Sequence, residues 1–177
     1  MSEPIPERLV GIWQRERITL EGAPGLPEGP FETATVRWFQ ARTRYADLRI
    51  PNGPPAPFCE EEAFGGRQQY AAPRLRFLHD LDRSGRLGED EGDLVWESDD
   101  VLLETGTFEF EGRTCHYTER WVRASARDPD VRVHEARIAD GTLEGLCLRI
   151  GDDRLLMRRR GGRLCAREDR RAAGGYR

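Results

Sequence analysis

Glycine, proline and acidic turn residues break this chain roughly every 8 to 12 residues, a spacing that leaves no room for long helices and suits short antiparallel strands. Between the breaks lie strand-like segments at residues 10–20, 33–40, 44–50, 61–70, 74–82, 92–97, 101–110, 114–124, 131–138, 142–150 and 154–160, with a last short strand after Gly161. None shows a sustained helical period, so each is predicted as strand. Glu111-Gly112, Asp140-Gly141 and Asp152-Asp153 are hairpin turns in kind, because Gly and Asp accept positive φ. From about residue 90 onward an up-and-down meander accounts for the order. Residues 51–57 hold four prolines and a glycine, too many for a strand interior, and are predicted as a loop over a barrel end or edge.

With 177 residues the chain is expected to form a single domain, with a barrel over residues 9–165 and a flexible Arg-rich tail over 166–177. Hydrophobic residues make up 37% and charged residues 34%, which favours strands buried on one face over strands buried on both. All 28 basic residues are arginine, as codon bias in a GC-rich bacterial genome would produce. The net charge of −4 supplies no general attraction to nucleic acid or anionic membranes, and neither is an expected partner. No segment has the length and apolarity to span a bilayer, and a cytoplasmic location is expected. Cys59, Cys115, Cys147 and Cys165 are far apart and contain no CxxC pair, so they read as reduced thiols and not as a metal or redox site.

Alternate side chains of a strand share a face. Leu75, Phe77, His79 and Leu81 therefore share one, and so do Cys115, Tyr117, Glu119, Trp121 and Arg123. Leu102, Glu104, Gly106 and Phe108 form a third row, Val36, Trp38 and Gln40 a fourth, and Tyr45, Asp47 and Arg49 a fifth. Periodicity leaves open whether the Asp47 row or the Leu48 row points inward. A glutamate flanked by Tyr and Trp belongs inside, where its carboxylate must be paired or protonated, and Arg49 or Arg123 is a candidate partner for Glu119. His79 and Asp82 fall on opposite faces of a regular strand, as do Cys115 and His116. His134 is expected at the surface.

Gly11-Ile12-Trp13 resembles the GxW signature of the first strand of lipocalins and related calycins. In those families the Trp closes the barrel floor under a late-strand Arg, a role that Arg158 to Arg160 would fill here. A wider pattern resembles a little-characterised fungal and bacterial family with a calycin-like barrel. Its pieces are Trp13 with Arg15, Val36-Arg37-Trp38-Phe39-Gln40, the run Tyr45 to Pro51, Ala63-Phe64-Gly65-Gly66, the run Phe77 to Asp82, Asp90-Glu91-Gly92, Glu104-Thr105-Gly106 and Tyr117-Thr118-Glu119-Arg120-Trp121. Phe77 and Phe39 depart from the pattern, where Trp and Leu are usual. The resemblance implies an all-β fold, a single antiparallel lipocalin-like up-and-down β-barrel of about 8 to 10 strands. It implies no settled reaction.

The leading expectation is a protein that binds a small, partly apolar ligand inside the barrel, with Trp38, Arg49, His79, Glu104, Tyr117, Glu119 and Trp121 as the ligand-binding set. A cofactor-free acid/base enzyme of decarboxylase or isomerase type, with His79 and Glu119 as the catalytic pair, is the first alternative. The second is a protein-interaction module with a solid barrel. No metal site and no cofactor are expected, haem through an axial His79 being the remote option. The partner is then a small molecule, and a homodimer is compatible with the sequence.

Overall fold

In a computed structural model that describes residues 3–27, 29–53, 62–85, 88–172 and 175–176, with side chains through Arg171, strands form at the expected places. The strands Gly11–Glu21 (β1), Ala34–Gln40 (β2), Tyr45–Pro51 (β3), Glu62–Ala71 (β4), Arg74–Asp82 (β5), Glu89–Ser98 (β6), Val101–Phe110 (β7) and Arg113–Arg123 (β8) form a closed antiparallel barrel, in which β8 pairs back onto β1. Closure removes the exposed edges that a sheet would otherwise present. Eight strands enclose an interior just wide enough for side chains or one small ligand. The proline-rich run 51–57 begins inside β3 at Pro51; residues 54–57, like Cys59, lie outside the described residues.

Val131–Arg137 (β9), Leu143–Ile150 (β10), Asp153–Arg160 (β11), Arg163–Ala172 (β12) and Gly175–Tyr176 (β13) form a separate sheet in that order. The expectation of a barrel reaching residue 165 and a loose tail after it is thereby corrected: the barrel closes at Arg123, and residues 163–172 are strand. The physical reason is a second core. The outward side chains Ile12, Phe39, Ala46, Leu48 and Ala63 of β1 to β4 are apolar and must be covered. Leu146, Leu148 and Ile150 of β10 and Leu155 and Met157 of β11 cover them. Ion pairs Arg37 to Glu168 (3.0 Å) and Arg44 to Glu135 (2.5 Å) bracket this interface. On the uncovered wall the outward rows carry exposed ion pairs instead, such as Arg74 with Glu91 and Asp93.

The barrel floor is an aromatic cluster in which Trp13 meets Trp38 and Trp96. Trp13 is fully buried, its indole N–H donates to the Leu9 carbonyl (2.8 Å), and a 3₁₀ turn at Glu7–Leu9 lies beneath it. Arg123, at the end of β8, sets its guanidinium 4.3 Å from the centre of the Trp13 ring. The expected Arg158 to Arg160 cannot take this place, because β11 belongs to the other sheet. Gly11 is required at this corner: its φ is +152° and an added Cβ would lie 2.5 Å from the Arg123 guanidinium.

Two bulges change which residues face inward. In β5 the pairing jumps from Gly66 with His79 to Gly65 with Leu81, so Asp80 is an extra residue. Beyond it the alternation reverses. Leu81, expected beside Phe77 and His79, faces the second sheet, and Asp82 turns to the same side as His79. In β1 a jump between Arg15 and Arg17 leaves Arg15 and Ile18 on one face.

Candidate functional site

β2 and β3 bring Trp38 and Asp47 into cross-strand register, and β3 and β4 do the same for Asp47 and Phe64. The open question of the third strand is settled by the second sheet. Leu48 points out into the inter-sheet core, and Tyr45, Asp47 and Arg49 point in. Above the aromatic floor the interior is packed by Trp38, Phe77 and Trp121, with ring centres about 5.5 Å apart. An inner void of about 20 Å³ remains, bordered by Tyr45, Asp47, Arg49, Glu104 and Trp121, among others. That volume holds roughly one water molecule.

A wider space than this void opens at the mouth. A recess of about 460 Å³ is lined by Arg49, Glu62, Phe64, His79, Asp82 and Asp90, among others. Arg49, Phe64 and Asp90 border both the recess and the void, so the two spaces adjoin. His79 stacks on Phe64 with ring centres 4.6 Å apart and an interplanar angle of 11°. Its Nδ1 is 3.1 Å from Asp82 and its Nε2 is 3.5 Å from Asp90. The Arg49 guanidinium lies 5.0 Å from the centre of the Phe64 ring, and its Nε donates to Asp47 (3.0 Å).

These surroundings set the charge states. Burial pushes the Asp47 carboxyl up to about 6, against the pull of Arg49. Burial also opposes the His79 imidazolium, but Asp90 and Asp82 outweigh it and raise the His79 pKa. Glu104 is raised well above the usual carboxylate range by burial and by the charge of Glu119, which is its cross-strand partner. The Tyr117 hydroxyl lies 3.2 Å from Glu104 Oε1 and 3.3 Å from the Glu91 carbonyl, and it has one proton to give. The hydroxyl donates that proton to Glu104 or to the Glu91 carbonyl.

The expected ligand-binding set therefore divides. Trp38, Arg49, Glu104 and Trp121 border the inner void, and Arg49 and His79 line the mouth. Tyr117 sits under a lateral groove of about 630 Å³ where β6 and β7 part beyond the Asp93 and Thr105 pair. Gly92 and Gly106 are needed there, since an added Cβ would lie 2.5 Å from Glu104 or Tyr117. Glu119 borders neither space. Its carboxylate is bonded by Arg15, which also holds Glu32 (2.8 Å), so the expected partners Arg49 and Arg123 are corrected to Arg15.

Arg15 was legible two residues from the inward Trp13, and Asp47 lay on one of the two candidate faces. Asp82 was not legible, because a bulge positions it, and Asp90 reaches His79 only through the pairing of β5 with β6, where it lies opposite Phe77. Among the described residues no group of three His, Cys, Asp or Glu side chains is placed to hold a metal ion.

No protein-family model matches the chain, and no curated protein sequence matches it. The crystal structure of the uncharacterised protein YLR301w from Saccharomyces cerevisiae is similar, with a TM-score of 0.66 at 17% identity over 93% of this chain and 81% of that one. An uncharacterised protein from Bacteroides eggerthii covers 63% of this chain and 97% of its own at 12% identity, with a TM-score of 0.39. The first likeness shows the fold, an antiparallel β-barrel shared with an uncharacterised protein. No described helix is long and apolar enough to cross a membrane.

Proposed function

We propose that this is a lipocalin-like binding protein that takes a small, partly apolar molecule at the mouth of the barrel, with one polar group of the ligand reaching the inner void. The observation that carries this reading is a pair of buried polar atoms. Tyr45 and Trp121 border the void, and the Tyr45 hydroxyl and the Trp121 indole N–H are buried with no hydrogen-bond partner among the described residues. Buried polar groups are nearly always satisfied, and an unpaired one costs about 1–3 kcal/mol. A ligand group that accepts from both would remove that cost. The Phe64 and His79 stack offers its apolar body a flat wall, with Arg49 beside it. Unpaired Cys115, Cys147 and Cys165 suit a reducing cytoplasm.

Native mass spectrometry of the freshly purified protein tests the reading. A retained small molecule is expected, and a Phe64→Ala, Tyr45→Phe variant should lose it while keeping its fold by far-UV circular dichroism. Retention unaffected by this double substitution would place the ligand elsewhere. An empty spectrum together with no binding in a thermal-shift screen of metabolites would end the proposal.

A second reading rests on one different observation. Asp47, 4% exposed and titrating near 6, is poised for proton transfer at neutral pH. In that case Asp47 with His79, and not Glu119, is the acid/base pair, because Glu119 is occupied by Arg15. A substrate screen in which turnover survives Asp47→Asn would remove it.

A further inference from the structure

The second sheet carries a charge opposite to that of the barrel. Residues 131–172 contain eleven arginines and seven carboxylates, net +4, whereas residues 1–130 contain sixteen and twenty-five, net −9. Inner-row positions of the sheet are spent on the inter-sheet core, so its arginines gather on the outer face. Register fixes their neighbours. Arg132, Arg149 and Arg154 occupy consecutive cross-strand positions on β9, β10 and β11, and the row ends on Asp169 of β12. Arg160 is directly opposite Arg163 across the Gly161-Gly162 turn, and Arg158 follows two residues away on the same face. Like charges directly opposite are destabilising unless an anion joins them.

The two ends of the face differ. In the first row, carboxylates already sit among the guanidiniums: Asp169 accepts from Arg154 (2.7 Å) and Arg167 (2.5 Å), and Asp130 is 3.2 Å from Arg132. At the other end Arg158, Arg160 and Arg163 are all exposed and have no ion pair among the described residues. Leu156, 38% exposed, lies between the ends.

We propose that this outer face is a docking surface for an acidic segment of a partner protein, with Arg158, Arg160 and Arg163 as its anchor. A carboxylate-rich segment repeats at the bare end the pairing that Asp169 makes at the other. The face measures roughly 15 by 20 Å, from about 4.8 Å between strands and 3.3 Å per residue. A nucleic acid fits less well. No Phe, Tyr or Trp lies on the described part of the face to stack on bases, and a long polyanion would run on against the acidic barrel. A bilayer would find Leu156 as the large apolar side chain exposed there.

The test is fluorescence anisotropy with a labelled Asp/Glu peptide of about eight residues, enough to cross the face at roughly 3.3 Å per residue. The protein is compared with Arg158→Glu, Arg160→Glu, Arg163→Glu and with an Arg113→Glu control on β8. Saturable binding that weakens with salt is expected. Each exposed pair contributes roughly a two- to threefold effect, so the triple reversal should weaken binding about tenfold or more and the control should not. Circular dichroism verifies that the variants are folded. Absence of saturable peptide binding at low salt overturns the proposal, as does binding that the triple reversal leaves unchanged. Tighter binding to a single-stranded oligonucleotide, or to phosphatidylserine vesicles, than to the peptide also overturns it.

Discussion

Asp47→Asn isolates the cost of placing a carboxylate in the middle of the barrel. Its pKa rises from 3.8 to about 6, because burial outweighs the help from Arg49. A folded-state pKa above the unfolded one means that the folded protein holds the proton more tightly. Stability is then greatest below the unfolded value, falls as pH rises through the interval, and is fully diminished above the folded value. At about 1.36 kcal/mol per pH unit, a shift of roughly two units corresponds to about 3 kcal/mol, of which about 2 kcal/mol falls between pH 4.5 and 8.

Asparagine cannot ionise, so the variant lacks this loss. Any constant cost of the amide beside Arg49 cancels when the two proteins are compared at two pH values. Urea denaturation followed by tryptophan fluorescence at pH 4.5, 6 and 8 should therefore show the variant gaining about 2 kcal/mol on the parent across the range. Arginine-paired carboxylates such as Asp93 and Asp100, which are held low, act in the opposite sense but equally in both proteins. A difference that stays flat with pH, or that favours the parent as pH rises, would refute the reasoning. The first outcome would mean that Arg49 fully offsets the desolvation of Asp47, the second that it outweighs it.

Arg15→Met removes the partner of the buried Glu119 and should destabilise by about 3–5 kcal/mol in the same assay, with part of the loss recovered in Arg15→Met, Glu119→Gln. Equal losses in the single and double variants would show that the unpaired charge is not the cause. Leu155→Ala empties a fully buried site between barrel and second sheet, and about 2–5 kcal/mol should be lost in one cooperative transition. Two resolved transitions would instead mean that the sheet unfolds on its own. Gly106→Ala drives a Cβ against the Tyr117 ring and should cost about 1–3 kcal/mol by thermal denaturation; a neutral outcome would show that Tyr117 moves freely in the lateral groove.

Turn chemistry and alternation carried most of the fold, since both are local. The hairpin at Glu111-Gly112 shows this, with φ values of 49° and 73° that its two residues are suited to adopt. The inward rows through Trp38, Glu104, Tyr117 and Trp121 were legible for the same reason. What failed depended on a single inserted residue. Asp80 bulges from β5, and no periodicity of apolar residues marks where an alternation will reverse. That one residue sends Leu81 outward and brings Asp82 to His79. The partner of Glu119 was missed because Arg15 and Glu119 are far apart in sequence and meet only when β1 closes on β8.

Local chemistry is enough to make the chain all-β, to mark most of its turns and to fix which side chains of each regular strand travel together. How many strands close the barrel is set by long-range packing. β9 to β12 carry the same alternation as β1 to β8, and nothing local separates a ninth barrel strand from the first strand of another sheet. The separation is made by the outer faces of β1 to β4. Once eight strands have closed, Ile12, Phe39, Ala46 and Leu48 still need burial, and the meander that follows folds over them. That choice sends one row of the second sheet into a core and leaves its arginines together on the surface.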